Sequence, residues 1–220
     1  MAKVFLSPSN QYDNVYAYGN TTEGVQCGKI ADACKIALER SGVDVMLMHD
    51  EDMQTKCAES NKFGADLHVP IHTNAFNGSV MGTRMFCYNT GKGMAACKAI
   101  FSRVAPLSPG TSENIQVNQK LYEVRVPAAP TAYLECEFHD TVEGAKWIVE
   151  NTTAIGEAIA HGICDYFGVT FKEPEQPKPA APASGKLYRV QVGAFSVREN
   201  AEKMLARLKA AGFDGYIREW

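Results

Sequence analysis

Apolar positions along the chain switch repeatedly between a period of two and a helical period. Lys3-Val4-Phe5-Leu6 is a short apolar run closed by the polar cluster Ser7-Pro8-Ser9-Asn10-Gln11, which reads as a buried strand and a turn. After a Tyr/Asn/Gly/Thr-rich loop over 12–22, Thr21 or Thr22 can cap a helix from about Glu23 to Arg40, stopped by Ser41-Gly42. The pattern then predicts a strand over 43–47, a helix over 53–63 ended by Gly64, and a strand over 65–75 that stops at a histidine. A strand over 82–88 and a helix over 91–104 follow, the helix turning Ala95, Ala96, Ile100 and Val104 inward. Strands over 121–126 and 132–138 are separated by Pro127 and Pro130, and 142–167 is helical. Strands alternating with helices predict an α/β fold with a mixed, mostly parallel sheet flanked by helices.

Residues 172–185 hold four of the ten prolines and no large apolar side chain, the composition of a semi-rigid linker. Beyond it, Leu187 to Val192 alternates at period two, Ser196-Val-Arg-Glu199 has the form of a capping box before a helix ending at Gly212, and Phe213 to Trp220 reads as a last strand. The expected organisation is a main domain over 1–171, a linker over 172–185, and a small βαβ module over 186–220. A unit this short needs help to fold, since domains below roughly 40 residues seldom hold together alone.

The chain of 220 residues carries a net charge of −3, so nothing global points to nucleic acid or to an anionic membrane. Residues 186–220 are locally basic, with seven Lys/Arg against four Asp/Glu. The seven cysteines include no CxxC pair and fall largely on helix and strand patterns, as small buried hydrophobes do. Met1-Ala2-Lys3 leads straight into a strand and no apolar run of 18 residues occurs, so the expectation is a chain made in the cytoplasm without a signal peptide.

Candidate chemistry gathers at element ends. His68 and His72 share a strand face but lie roughly 13 Å apart, too far to hold one ion, and His72 is the better candidate because open α/β sheets bind ligands beyond the carboxyl ends of their strands. Glu23 falls in a first helical turn, while Glu135, Glu137 and His139 surround the end of the last core strand and share a face if the strand persists that far. A zinc site that hydrolyses amides needs nitrogen and oxygen ligands, one open position, and a carboxylate base that is not a ligand. Plainer readings stand beside these: Glu23 as an acid favoured by the helix dipole, Glu137 as a rim carboxylate, His139-Asp140 as a helix cap, and His49 and His161 as surface residues.

Residues 1–168 resemble the zinc N-acetylmuramoyl-L-alanine amidases of spore-forming bacteria and phage endolysins. The resemblance rests on Ser60-Asn61-Lys62-Phe63-Gly64-Ala65-Asp66-Leu67 running into Ile71-His72-Thr73-Asn74-Ala75, on Gly82, and on Leu121-Tyr-Glu-Val-Arg125 leading to Pro130-Thr-Ala-Tyr-Leu-Glu135. It implies the zinc amidase, phosphorylase/hydrolase-like fold, with Glu23 and His72 as zinc ligands and Glu135 as the catalytic acid/base. Arg125, at the family position before the last strand, would polarise the scissile carbonyl or hold a stem-peptide carboxylate, or else form a structural ion pair. Family members end the first strand with Asp-Pro-Gly-His, whose histidine is a zinc ligand, whereas this chain reads Ser7-Pro8-Ser9-Asn10. The expected replacement is His139, with Glu137, Asn10 or Gln11, and a lost site, as alternatives.

The tail resembles one half of a SPOR domain, the βαββαβ peptidoglycan-binding module. The combined reading is a peptidoglycan hydrolase, an endolysin or autolysin, that reaches the cell wall after release from the cytoplasm. The rival is an inactive amidase-fold protein that only binds the wall. Because a lone βαβ unit leaves an exposed sheet edge, the tail is expected to pair with a second copy and make the protein a homodimer, with Tyr188, Val190, Val192, Leu205, Leu208 and Phe213 on the buried side.

Overall fold

The computed structural model describes residues 1–174 and 190–219. The chain divides into two units, Met1–Pro174 and Glu175–Trp220. The first contains β1 (Lys3–Pro8), α1 (Glu23–Arg40), β2 (Asp44–Leu47), α2 (Met53–Phe63), β3 (Leu67–Asn74), β4 (Arg84–Cys87), α3 (Lys92–Val104), β5 (Asn114–Val117), α4 (Tyr122–Arg125), β6 (Tyr133–Phe138) and α5 (Val142–Phe167). The strands form one six-stranded sheet in the order β2-β1-β3-β6-β4-β5. β2, β1, β3 and β6 run parallel, and β4 joins β6 antiparallel while β5 runs parallel to β4. The α/β expectation with a mostly parallel sheet holds.

The two faces of β3 explain how the sheet is covered. Leu67, Val69 and Ile71 join Val4, Leu6, Leu134 and Cys136 in the main core beneath α1, α3 and α5. The residues between them, His68, Pro70 and His72, point to the opposite face, where α2 and α4 lie. α5 packs along α1 through glycine: a Cβ on Gly156 would meet Ala33 Cβ and the Ile30 carbonyl oxygen at 2.6 Å. All seven cysteines are buried and unpaired, as their positions in the pattern predict.

Two elements depart from expectation in this unit. Residues 122–125 form a single helical turn, α4, where a strand is predicted. The stretch holds too few residues for its periodicity to separate the two forms. β5 is a four-residue edge strand, half-exposed, whose apolar content is too small to announce it.

In the second unit the only regular element among the described residues is α6 (Arg198–Ala210). Its N-cap is Val197, without a side-chain cap bond, so the Ser196-to-Glu199 capping box does not form. Residues 190–192 and 213–219 take no strand conformation, and the rest of the predicted first strand, with Tyr188 and residues 175–185 of the linker, lies outside the described residues. Among the described residues the expected βαβ module thus shows its helix, with irregular flanks on either side. Strand conformation is stabilised by a neighbouring strand, and two isolated strands beside one helix supply too little of that.

Introducing a methyl group at the α1–α5 contact should strain backbone rather than a flexible side-chain tip. Gly156→Ala is expected to lower stability by about 1–3 kcal/mol, read as an earlier urea midpoint, whereas Ile36→Ala on the exposed side of α1 should change it by no more than about 0.5 kcal/mol.

Candidate functional site

The carboxyl ends of β1, β3 and β6 and the start of α1 converge at one edge of the sheet. His72 is the sixth residue of β3 and is paired in register with Glu135 of β6, which is opposed on its other side by Arg84 of β4. Glu23, at the first position of α1, is buried and places Oε1 2.9 Å from His72 Nδ1. Tyr133 stacks on the His72 ring at 4.7 Å between centroids and fixes its plane.

The loop after β1 completes this cluster with amides. Gln11 Nε2 lies 3.3 Å from Glu23 Oε1 and 3.4 Å from His72 Nδ1, and Asn14 Nδ2 donates to both Gln11 Oε1 and Glu23 Oε2. The loop is held by the backbone as well, through Glu23 N–H to the Asn14 carbonyl and Gly24 N–H to the Gln11 carbonyl. Asn10, the residue at the position of the family histidine, is exposed and donates to the Glu51 carbonyl instead.

The distal nitrogen of His72 faces a second carboxylate. Glu123 of α4 places Oε2 3.8 Å from His72 Nε2, and its Oε1 accepts the Ser7 hydroxyl and approaches His68 Nε2. Burial works against charge on His72, but Glu123, Glu23 and Glu135 outweigh it and raise its pKa to about 9. Burial likewise works against charge on Glu23 and Glu123, yet the histidines beside them hold both carboxyls below the usual range. Glu135 is the exception. Burial pushes its carboxyl up to about 7, the Glu23 charge adds to this, and His72 and Arg84 oppose it. Its Oε2 is buried without a hydrogen-bond partner.

The structure thus brings Glu23, His72 and Glu135 together. It does not bring His139 to them. β6 ends at Phe138, with a shift in the β3–β6 register between His72 and Asn74, so the alternation that would have aligned residue 139 with Glu135 is lost. His139 instead shares a hydrogen bond with Thr73 Oγ1 at 2.9 Å and stacks on Tyr16 at 4.9 Å, fastening the 12–22 loop to the sheet. Glu137 is fully buried and accepts from Gly82 N–H, Phe138 N–H and the Ser108 hydroxyl, a clamp on the loops beside β4. Arg125 is exposed, with its guanidinium over the Tyr122 ring.

Comparison with known proteins places the first unit in a family. The N-acetylmuramoyl-L-alanine amidase family matches residues 10–165. The chain belongs to that family. A second match, to the SPOR domain, covers residues 176–219. The sporulation-specific N-acetylmuramoyl-L-alanine amidase of Bacillus subtilis is 25% identical over 225 residues, covering 99% of this chain and 84% of that protein. The amidase CwlM of Bacillus licheniformis is 23% identical, covering 99% and 85%. The catalytic domain of CwlV from Bacillus (Paenibacillus) polymyxa var. colistinus superposes with a TM-score of 0.69 at 17% identity, over 77% of this chain and all of that one. AmiC2 of Nostoc punctiforme superposes at 0.65 with 19% identity, over 76% and 97%.

Within this amidase-family chain, sequence reasoning passed over Glu123, Tyr133 and Arg84. Reading 121–126 as a strand hid Glu123, whose inward direction comes from the single turn of α4. Gln11 stood only as an alternative beside Asn10, and the turn that decides between the two carries no periodic signal. As for metals, Glu23, His72 and the Gln11 amide offer oxygen and nitrogen donors of the kind a divalent ion takes, provided the amide presents its oxygen.

The raised pKa of Glu135 carries a sign that can be measured on metal-free protein. The folded state binds this proton more tightly than the unfolded chain, so the stabilisation is complete below the ordinary value of 4.5 and is lost as pH rises through about 7. The stability of Glu135→Gln relative to the parent should therefore increase between about pH 4 and pH 8, by on the order of 3 kcal/mol at most, in urea denaturation. A difference independent of pH would contradict the assignment.

Proposed function

We propose that this chain hydrolyses the amide between the lactyl group of N-acetylmuramic acid and L-alanine in peptidoglycan, as a zinc enzyme with Glu135 as its acid/base. The observation that carries the reading is the unpartnered oxygen of the buried Glu135 carboxyl, one strand away from the Glu23–His72 pair and so available to exchange a proton with a reacting group. Glu23 and His72 would hold the ion; Gln11, whose Nε2 faces both, would join them only with its amide turned to present Oε1. Zinc, when bound, supplies Lewis acidity toward the scissile carbonyl. The Glu135 carboxylate takes the proton of the attacking water and returns it to the departing alanine nitrogen. Tyr133 keeps the His72 ring in plane, and Glu123 faces its distal nitrogen, the arrangement by which a carboxylate orients a ligating imidazole.

The SPOR match supports retention on the wall, the expected place of action. No helix among the described residues is long and apolar enough to cross a membrane. Homodimer formation through the second unit belongs to the same proposal. Val190, Val192, Phe213 and Tyr216 are each more than half exposed, an apolar set that a second copy would cover.

Purified chain acting on cell walls should liberate new L-alanine amino termini without reducing sugars, and chelation should abolish this until zinc is restored. Glu135→Gln should keep its zinc and lose turnover by at least about 100-fold. Full activity of metal-free protein would defeat the mechanism, and zinc-loaded protein with no release would favour the inactive wall-binding alternative. Light scattering should show a dimer for the full chain and a monomer for a chain ending at Phe171; a monomeric full chain at micromolar concentration would refute the pairing.

A further inference from the structure

Beneath the amidase site, on the same face of the sheet, lies a second group of ligating side chains. Cys57 of α2, His68 of β3 and Glu123 of α4 place one ligand atom each within 4.8 Å of one another, and among the described residues they are the group of three His, Cys, Asp or Glu that does so. Ligand atoms around a tetrahedral zinc are roughly 3.3–3.8 Å apart, from bond lengths of about 2.0–2.3 Å, so small side-chain rotations would close the set on an ion. Cys57 and His68 are inaccessible to solvent and Glu123 is nearly so.

Glu123 is a buried carboxylate whose ion-pair partners among the described residues are two imidazoles, His68 and His72, and no arginine or lysine. The buried ammonium of Lys56 donates to the Pro8 carbonyl oxygen and lies close enough for its charge to act on Glu123. The surroundings also orient the ligands: Ser60 Oγ lies 3.0 Å from His68 Nδ1, leaving Nε2 toward Glu123, Phe5 stacks on the His68 ring, and the Ser7 hydroxyl donates to Glu123 Oε1. Hydrogen bonds to the far sides of ligands are what fix tautomer and direction in metal sites.

We propose that Cys57, His68 and Glu123 form a second, buried site for a borderline-soft divalent ion of the zinc type, distinct from the Glu23–His72 site. The ion binds as the Cys57 thiol releases its proton to solvent and the sulfur–metal bond forms, with no change of oxidation state. Because the three ligands come from α2, β3 and α4, the ion ties both covering elements to the sheet. It enters as the chain folds.

Cobalt(II) is the probe, because a thiolate ligand gives it a near-ultraviolet charge-transfer band that imidazole and carboxylate ligands do not. The full chain, produced in cobalt-supplemented medium, should show this band. His72→Ala should keep the band while losing metal from the amidase site, which separates this proposal from the one above. Cys57→Ser should abolish the band and lower bound cobalt by about one ion per chain, with helical circular dichroism preserved. Should Cys57→Ser fail to fold, His68→Asn serves in its place, with the same loss of the band expected. A folded parent chain without the band, or a band undiminished in the folded variant tested, would overturn the proposal.

Discussion

The parallel pairing of β3 with β6 is the constraint on which the site depends. It sets His72 opposite Glu135, and the register shifts before the next pair, Asn74 with Phe138. Glu23 reaches the pair because α1 begins where the loop from β1 comes back over the strand ends. Three elements far apart in sequence therefore meet at the carboxyl edge of one sheet. Open α/β sheets build their sites there because the loops leaving neighbouring strands diverge and leave a crevice.

The same pairing explains why one face of the sheet is apolar and the other is polar. Leu67, Val69 and Ile71 interleave with His68, Pro70 and His72, so an apolar core and a line of imidazoles share a single strand. Burying those imidazoles is tolerable because each meets a carboxylate or hydroxyl: His72 between Glu23 and Glu123, His68 between Glu123 and Ser60. Glu123 joins the two histidines, and a four-residue helical turn is all that aims it. Glu135 alone in this set keeps an unpartnered oxygen, a cost that a structural residue has no reason to carry.

Much of this was legible in the sequence. The alternation of strands and long helices foretells the α/β sheet, and the resemblance to the zinc amidases, carried by the Ile71-His72-Thr73-Asn74 and Tyr133-Leu134-Glu135 stretches, implies that Glu23, His72 and Glu135 work together. What escaped depended on short-range geometry. Alternation in the sequence pattern runs on to His139, because nothing in Phe138-His139-Asp140 marks where pairing ends. The turn after β1 decides whether residue 10 or residue 11 faces Glu23, and it places Gln11 there and turns Asn10 outward. The second unit shows the opposite failure: Val190 to Val192 and Phe213 to Ile217 have strand composition, yet strand structure needs a partner that composition does not supply.

The claim that organises this account is that Glu23 and His72 are metal ligands while Glu135 is not. Crystals of the full chain grown with zinc, measured on both sides of the zinc absorption edge, would locate the ion by its anomalous signal. The expected result is a peak bonded to Glu23 and His72 Nδ1, with Glu135 outside bonding distance. A zinc peak bonded to Glu135 or His139, or none beside His72, would contradict it.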